Sequence, residues 1–222
     1  MPDVFDYMCA WAAGEYDAFS KLIEESVKEN REIGLNICQS LDGNFQFGPK
    51  CSGAECSVTL PKDCGTISKV GTFHTHTEDP SVDHTKFSGA DILESVLSDE
   101  KLSCLGYKKD GVNHVSCITF NVPELEGQSK DELITHLKSL SFYSKQMDIN
   151  MDKADGLERQ INHWLKLPKE KVEPLLPRIR ESMRELDRLR AKAKVDLGME
   201  ERVKNRLLAF MKEKGYVKEC NG

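Results

Sequence analysis

Residues 15–30 (EYDAFSKLIEESVKEN) place Phe19, Leu22, Ile23 and Val27 at spacings of three and four. That period predicts an amphipathic helix lying across a sheet. From Glu32 to Cys38 apolar residues alternate with others, and the turn signal Leu41-Asp42-Gly43-Asn44 follows, which predicts a strand and then a hairpin. Short strands are expected at 45–48 and 55–60. Val70-Gly71-Thr72-Phe73-His74-Thr75-His76 reads as a further strand, in which alternation turns His74 and His76 to one face. After Ser88 the period becomes helical through Ala90, Ile92, Leu93, Val96 and Leu97, with Ser88 suited to the N-cap. Strands at 103–108 and 112–120, joined by Lys109-Asp110-Gly111, and a helix at 129–147 complete an α/β (α+β) domain assigned to residues 1–150.

Beyond residue 152 the chain becomes rich in Lys, Arg, Glu and Leu. Ile179, Met183, Leu186 and Leu189 mark one apolar stripe on a long helix. Pro168, Pro174 and Pro177 separate it from a shorter helix at 154–166, and a last helix at 199–214 is expected to stop at Gly215. Residues 151–222 are therefore expected to be an all-helical extension, a helical hairpin or coiled coil. Its charge runs read first as solvated helix faces, with docking into a protein complex or self-association as the alternative.

With 222 residues, 39% hydrophobic and 31% charged, the chain can build one ordinary domain with an appendage, or two small ones. A formal net charge of −6 argues against a protein devoted to nucleic-acid backbones, although the stretch from Glu201 to Glu219 is locally basic. No apolar run is long enough to span a membrane, and Asp3 and Asp6 stand where a secretory signal would carry Lys or Arg. The expectation is a soluble, cytoplasmic protein. Its eight cysteines form no Cys-x-x-Cys pair, so most are expected to be buried thiols; Cys51, Cys56 and Cys64, near one another, could form a disulfide or help hold a second metal.

Two histidines on one strand face, followed by a carboxylate at a helix start, offer three ligands that zinc accepts, leaving a fourth position for water. Hydrolysis at neutral pH also needs a base to move the water's proton to the leaving group, and a glutamate on a neighbouring strand would serve. Taken singly, each element has an ordinary structural explanation: a strand-end charge for Glu32, a helix-start pair for Ser88 and Asp91, edge histidines met by solvent. Their ordered combination points to a metal centre. His114, His136 and His163 stand outside it.

These residues, Glu32 in REIGL, His74 and His76 in FHTHT, and Ser88 and Asp91 in FSGADI, resemble the motif of the JAMM (MPN-plus, JAB) metalloproteases over roughly residues 30–120. The resemblance implies a JAMM/MPN-type domain with a mixed central sheet flanked by helices. It implies Zn2+ held by His74, His76 and Asp91, Glu32 as acid and base on the attacking water, and Ser88 as the oxyanion's hydrogen-bond donor. It further implies an isopeptidase, deubiquitinase-like, acting on lysine conjugates of ubiquitin or a ubiquitin-like protein. The family usually has about seven residues between the second histidine and the serine, whereas Thr77 to Phe87 lie between them here, an insertion from which Asp83 or His84 could reach the metal.

The alternative function is a non-catalytic MPN-type scaffold or assembly subunit that docks through the C-terminal helices. A zinc nucleobase deaminase shares the metal logic but requires a Pro-Cys-x-x-Cys ligand pair that this sequence lacks.

Overall fold

A computed structural model describes residues 4–52, 64, 68–77, 83–124 and 126–220. The chain divides into an α/β unit, Met1–Glu126 with Leu208–Gly222, and a helical unit, Gly127–Leu207.

In the α/β unit six strands form one mixed sheet: β1 (Ile33–Gln39), β2 (Phe45–Ser52), β3 (Ser68–Thr75), β4 (Leu102–Lys109), β5 (Val112–Phe120) and β6 (Val217–Cys220). Their order is β2-β1-β3-β4-β5-β6. β3 and β4 run parallel and every other neighbouring pair antiparallel. A parallel pair needs a crossover, and this one carries helix α3 (Gly89–Leu97). The β4–β5 hairpin turns at Asp110 and Gly111, both at positive φ, as a two-residue hairpin of matching twist requires.

Helices α1 (Val4–Gly14) and α2 (Tyr16–Glu29) cover one side of the sheet. Met8, Ala12, Phe19 and Ile23 join Leu35, Ile37, Phe73 and Leu102 in a single core, with the Phe19 ring stacked on Phe73 at 4.3 Å. Each such apolar side chain contributes about 1.5–3 kcal/mol on burial. The helix expected at 15–30 is present as α2, but its stripe differs in the last turn: Val27 is exposed, and Ser26 is buried. Residues 4–14, for which the pattern predicts no element, form α1.

In the helical unit α4 (Gly127–Leu165) and α6 (Leu176–Glu213) pack together as two long helices, joined through the short α5 (Lys169–Val172) and a 3₁₀ turn at Glu173–Leu175. Ala154 and Ile161 of α4 meet Ile179, Leu186 and Leu189 of α6 in a core of their own. The separate helices expected at 129–147 and 154–166 are one helix. The intervening residues contain no Gly or Pro to break it, and Asn150 finds Asp196 Oδ2 at 2.8 Å while Ser144 donates to Glu200 Oε1 at 3.0 Å. Likewise the stretch 199–214 continues α6 without a break. Pro177 sits in the first turn of α6, where a missing N–H costs no intrahelical bond.

Two further expectations are corrected. The C-terminal region is not all helical: after Gly215, at positive φ, residues Val217–Cys220 return as β6 and pair with β5. Four residues show no diagnostic alternation by themselves, so only the edge of β5 makes them a strand. The cysteines are also not chiefly thiols, since Cys9–Cys220, Cys38–Cys64 and Cys104–Cys117 are disulfides and Cys51 is disulfide-bonded as well. Sheet register places Cys104 directly opposite Cys117, and the return of β6 brings Cys220 to α1, neither of which cysteine spacing reveals. The strand expected at 55–60 and Cys56 lie outside the described residues. Among the described residues no helix is long and apolar enough to cross a membrane.

Candidate metal centre

The centre lies at the C-terminal end of β3. Alternation there turns Phe73 and Thr75 toward α2 and leaves His74 and His76 to the opposite face, as the strand pattern predicts. His76 continues the strand by one residue, its backbone N–H donating to the Gly106 carbonyl at 2.9 Å. Across the sheet, Gly34 of β1 is paired with His74. Glu32 lies just before β1, two residues from Gly34, where continued strand alternation would turn it to the face of His74 and His76; Gly34 brings no side chain opposite the first imidazole.

The third candidate ligand comes from the crossover. Ser88 caps α3, and its Oγ accepts the Asp91 N–H at 3.1 Å. Asp91 Oδ2 in return accepts the Ser88 N–H at 2.6 Å. This reciprocal capping box holds the Asp91 carboxylate at the mouth of the helix, where the dipole also favours negative charge. The cap uses the oxygen of Ser88 and leaves its hydroxyl proton available for another acceptor, at an exposed position.

His74, His76 and Asp91 converge. The two imidazole Nε2 atoms are 3.2 Å apart, His74 Nε2 lies 3.3 Å from Asp91 Oδ1, and His76 Nε2 lies 3.5 Å from Asp91 Oδ2. Zinc bonded at about 2.0–2.1 Å to tetrahedrally placed ligands would put neighbouring donor atoms about 3.3 Å apart. The two imidazole nitrogens stand at about that separation, His74 faces Asp91 Oδ1 and His76 faces Oδ2, and a donor set of two imidazoles and a carboxylate is of the kind zinc accepts. The side chains are 13–21% exposed, open enough for water or substrate to reach them.

Orienting contacts surround the ligands. His76 Nδ1 stands 3.2 Å from the His84 carbonyl oxygen, so Nδ1 carries the proton and Nε2 presents its lone pair inward. Glu100, 3% exposed, accepts from Thr72 of β3 at 2.9 Å and from Ser95 of α3 at 3.1 Å through Oε2, while Lys69 lies 2.9 Å from Oε1. One buried carboxylate thus ties together the strand and the helix that supply the ligands. Neither contribution is visible in the motif: a backbone carbonyl has no sequence signature, and Glu100 reads as a surface charge at a helix end.

The electrostatics favour a cation. Burial pushes the His74 imidazolium pKa down, but the Asp91 carboxylate beside it, with Glu32 and Glu100 farther off, outweighs that and leaves it above the ordinary histidine value. Burial likewise pushes the Asp91 carboxyl up, and the charges and hydrogen bonds of His74 and His76 hold it well below the usual range. Glu32 is part-buried at the entrance to β1, and its negative charge is felt at His74.

The insertion supplies no further ligand among the described residues. Asp83 pairs with Lys86 at 2.8 Å and accepts from the Thr85 backbone, and His84 contributes its carbonyl, not its ring. Residues 78–82 lie outside the described residues. His114 stacks on Tyr107 at 5.2 Å, and His136 and His163 belong to α4, so none of the three joins the group. Cys64, offered as part of a second metal site, is bonded to Cys38. Comparison with protein-family models, with curated proteins and with solved structures gives no match.

Proposed function

We propose that this chain is a zinc-dependent hydrolase of amide or isopeptide bonds, removing ubiquitin or a ubiquitin-like modifier from lysine. The observation that carries the reading is the convergence of His74, His76 and Asp91, with the negative charge of Glu32 felt at His74. His74, His76 and Asp91 would hold the ion. When bound, zinc supplies Lewis-acid activation of the attacking water and of the scissile carbonyl. Glu32 then takes the water's proton and delivers it to the departing amine, the work of a general base that becomes a general acid. Ser88, with its hydroxyl proton uncommitted by the cap, donates to the oxyanion that develops on the carbonyl. The modifier as substrate comes from the likeness to the JAMM metalloproteases.

A docking role for the helical unit can accompany this activity. Phe142, Met151, Met183 and Val195 stand exposed on α4 and α6, where a partner or a second copy could cover them. The disulfides Cys9–Cys220, Cys38–Cys64 and Cys104–Cys117 are of a kind that persists in oxidising compartments and is rare in the cytosol, which counts against a cytoplasmic location.

The test combines metal content with cleavage of a lysine-linked ubiquitin substrate. Wild type is expected to hold about one zinc per chain. Glu32→Gln should keep the metal and lose about 10²–10⁴-fold in turnover, and His74→Ala/His76→Ala should lose both. Carefully purified wild type that takes up no zinc would move the reading to the non-catalytic scaffold.

A further inference from the structure

Thr75 is the residue between the two histidines, and it points away from them. Strand alternation carries its hydroxyl through the sheet to the α2 side, where it is fully buried, as is Ser26 in the last turn of α2. Two hydroxyls on a face otherwise filled by Phe19, Ile23, Leu35 and Phe73 need a reason, because a buried polar group without a partner is costly. Their partners form a closed chain. The Ile33 N–H donates to Thr75 Oγ1 at 2.8 Å, Thr75 donates to Ser26 Oγ at 2.8 Å, and Ser26 donates to the Arg31 carbonyl at 2.7 Å.

The two ends of that chain bracket one residue. The Arg31 carbonyl belongs to the peptide plane before Glu32, and the Ile33 N–H to the plane after it. Fixing both planes fixes φ and ψ of Glu32, the only soft backbone angles it has. Without such a hold, residues 30–32 are a short connection between α2 and β1, leaving the helix at Asn30 in the left-handed conformation. We propose that Thr75 and Ser26 are positioning residues for Glu32: a buried hydroxyl chain locks the general base to the same strand that carries His74 and His76. This rests on the hydrolase reading above for Glu32's role. The chain lies wholly on the opposite side of the sheet from the metal ligands, so the two functions can be separated by mutation.

Three variants test it on the full chain: Thr75→Val, which keeps shape and removes the hydroxyl, Ser26→Ala, which removes the donor to the Arg31 carbonyl and the acceptor of the Thr75 hydroxyl but leaves Thr75 Oγ1 to the Ile33 N–H, and Thr75→Ser, which restores the donor and acceptor. The first readout needs no substrate. In zinc-loaded protein, hydrogen exchange at the Ile33 amide should quicken about tenfold or more in Thr75→Val, while the amides of Leu35 and Phe73 stay protected. The second is steady-state cleavage. Thr75→Val and Ser26→Ala should lower kcat by about 10–100-fold with KM and zinc content unchanged, because a base displaced by a fraction of its reach still leaves substrate binding intact. Thr75→Ser should recover most of the rate, and Ser26→Ala/Thr75→Val should be no worse than Thr75→Val, since both act through one chain.

Unchanged Ile33 exchange in Thr75→Val overturns the lock itself, whatever the catalysis. Faster exchange with wild-type kcat overturns the positioning role and leaves the hydrolase reading standing. Zinc-loaded wild type that cleaves no amide or isopeptide substrate defeats the hydrolase reading, and the proposal falls with it, the chain then being structural only. Should Thr75→Val not fold, Ser26→Ala tests the other end of the chain through kcat at unchanged KM and zinc content, and a wild-type kcat there overturns the positioning role.

Discussion

Asp91 holds two posts at once, and Asp91→Asn separates them. As the third helical residue of α3 it accepts the Ser88 N–H at 2.6 Å, and as a proposed ligand it lies 3.3–3.5 Å from the two imidazoles. Asparagine keeps an oxygen for the Ser88 N–H but loses the charge that favours both the helix dipole and a metal. In zinc-free protein the cap therefore survives, and the cost is the dipole interaction, about 0.3–1 kcal/mol, plus part of the attraction to protonated His74 at low pH. Zinc at a free concentration one hundred times its dissociation constant stabilises the folded state by about 2.7 kcal/mol. For a chain of this size each kcal/mol moves the melting temperature by about 2–4 °C, so wild type should gain about 5–11 °C on zinc addition. Asp91→Asn should start within a few degrees of zinc-free wild type and gain little. The assay is thermal unfolding followed by circular dichroism, with zinc held by a buffered chelator and a chelator-only control. If the variant keeps the wild-type zinc shift, Asp91 is not a ligand, and the convergence of the three side chains is a capping arrangement with two neighbouring histidines.

Ser88 can be divided in a similar way. Ser88→Ala should lose about 0.5–2 kcal/mol of stability with the cap, and about 10²–10³-fold in turnover with the oxyanion donor. Ser88→Asp, which keeps a cap acceptor and lacks the donor, should recover the stability by denaturant unfolding and leave turnover low; recovery of both would remove the oxyanion role. The pH dependence has a definite sign. In zinc-free protein the raised His74 pKa contributes stability that is present below about 6.5 and lost as pH rises through the raised value, whereas the depressed Asp91 pKa contributes stability present above about 3.9 and lost as pH falls through the depressed value. Zinc needs the neutral imidazole, so the zinc-induced rise in melting temperature should shrink as pH falls through the raised His74 pKa. A rise independent of pH between 5 and 8, on the order of the histidine titration range, would contradict histidine ligation.

What the sequence determined by itself was the local grammar. Period and alternation, with turn residues at their ends, located α2, β1, β3, α3, β4 and β5; α2 and α3 bury one face, whereas β1 and β4 are buried on both over most of their length. The same alternation placed His74 and His76 together, and the helix-start chemistry of Ser88 and Asp91 is local enough to be read from four residues. Features that depend on distant partners were not legible. The six-membered strand order, the pairing of Cys9 with Cys220, and the conversion of Val217–Cys220 into a strand arise where segments far apart in sequence meet, and no short-range pattern encodes the meeting. The continuity of α4 through Asn150 was hidden because a polar residue inside a helix looks like a break until Asp196 satisfies it. At the centre, the sequence named candidate ligands, but only the tertiary structure brought Asp91 to the imidazoles and put Glu100, the His84 carbonyl, Ser26 and Thr75 behind them. Supporting residues of that kind act through individual hydrogen bonds to distant backbone groups or side chains, and such bonds leave no periodic trace in the sequence.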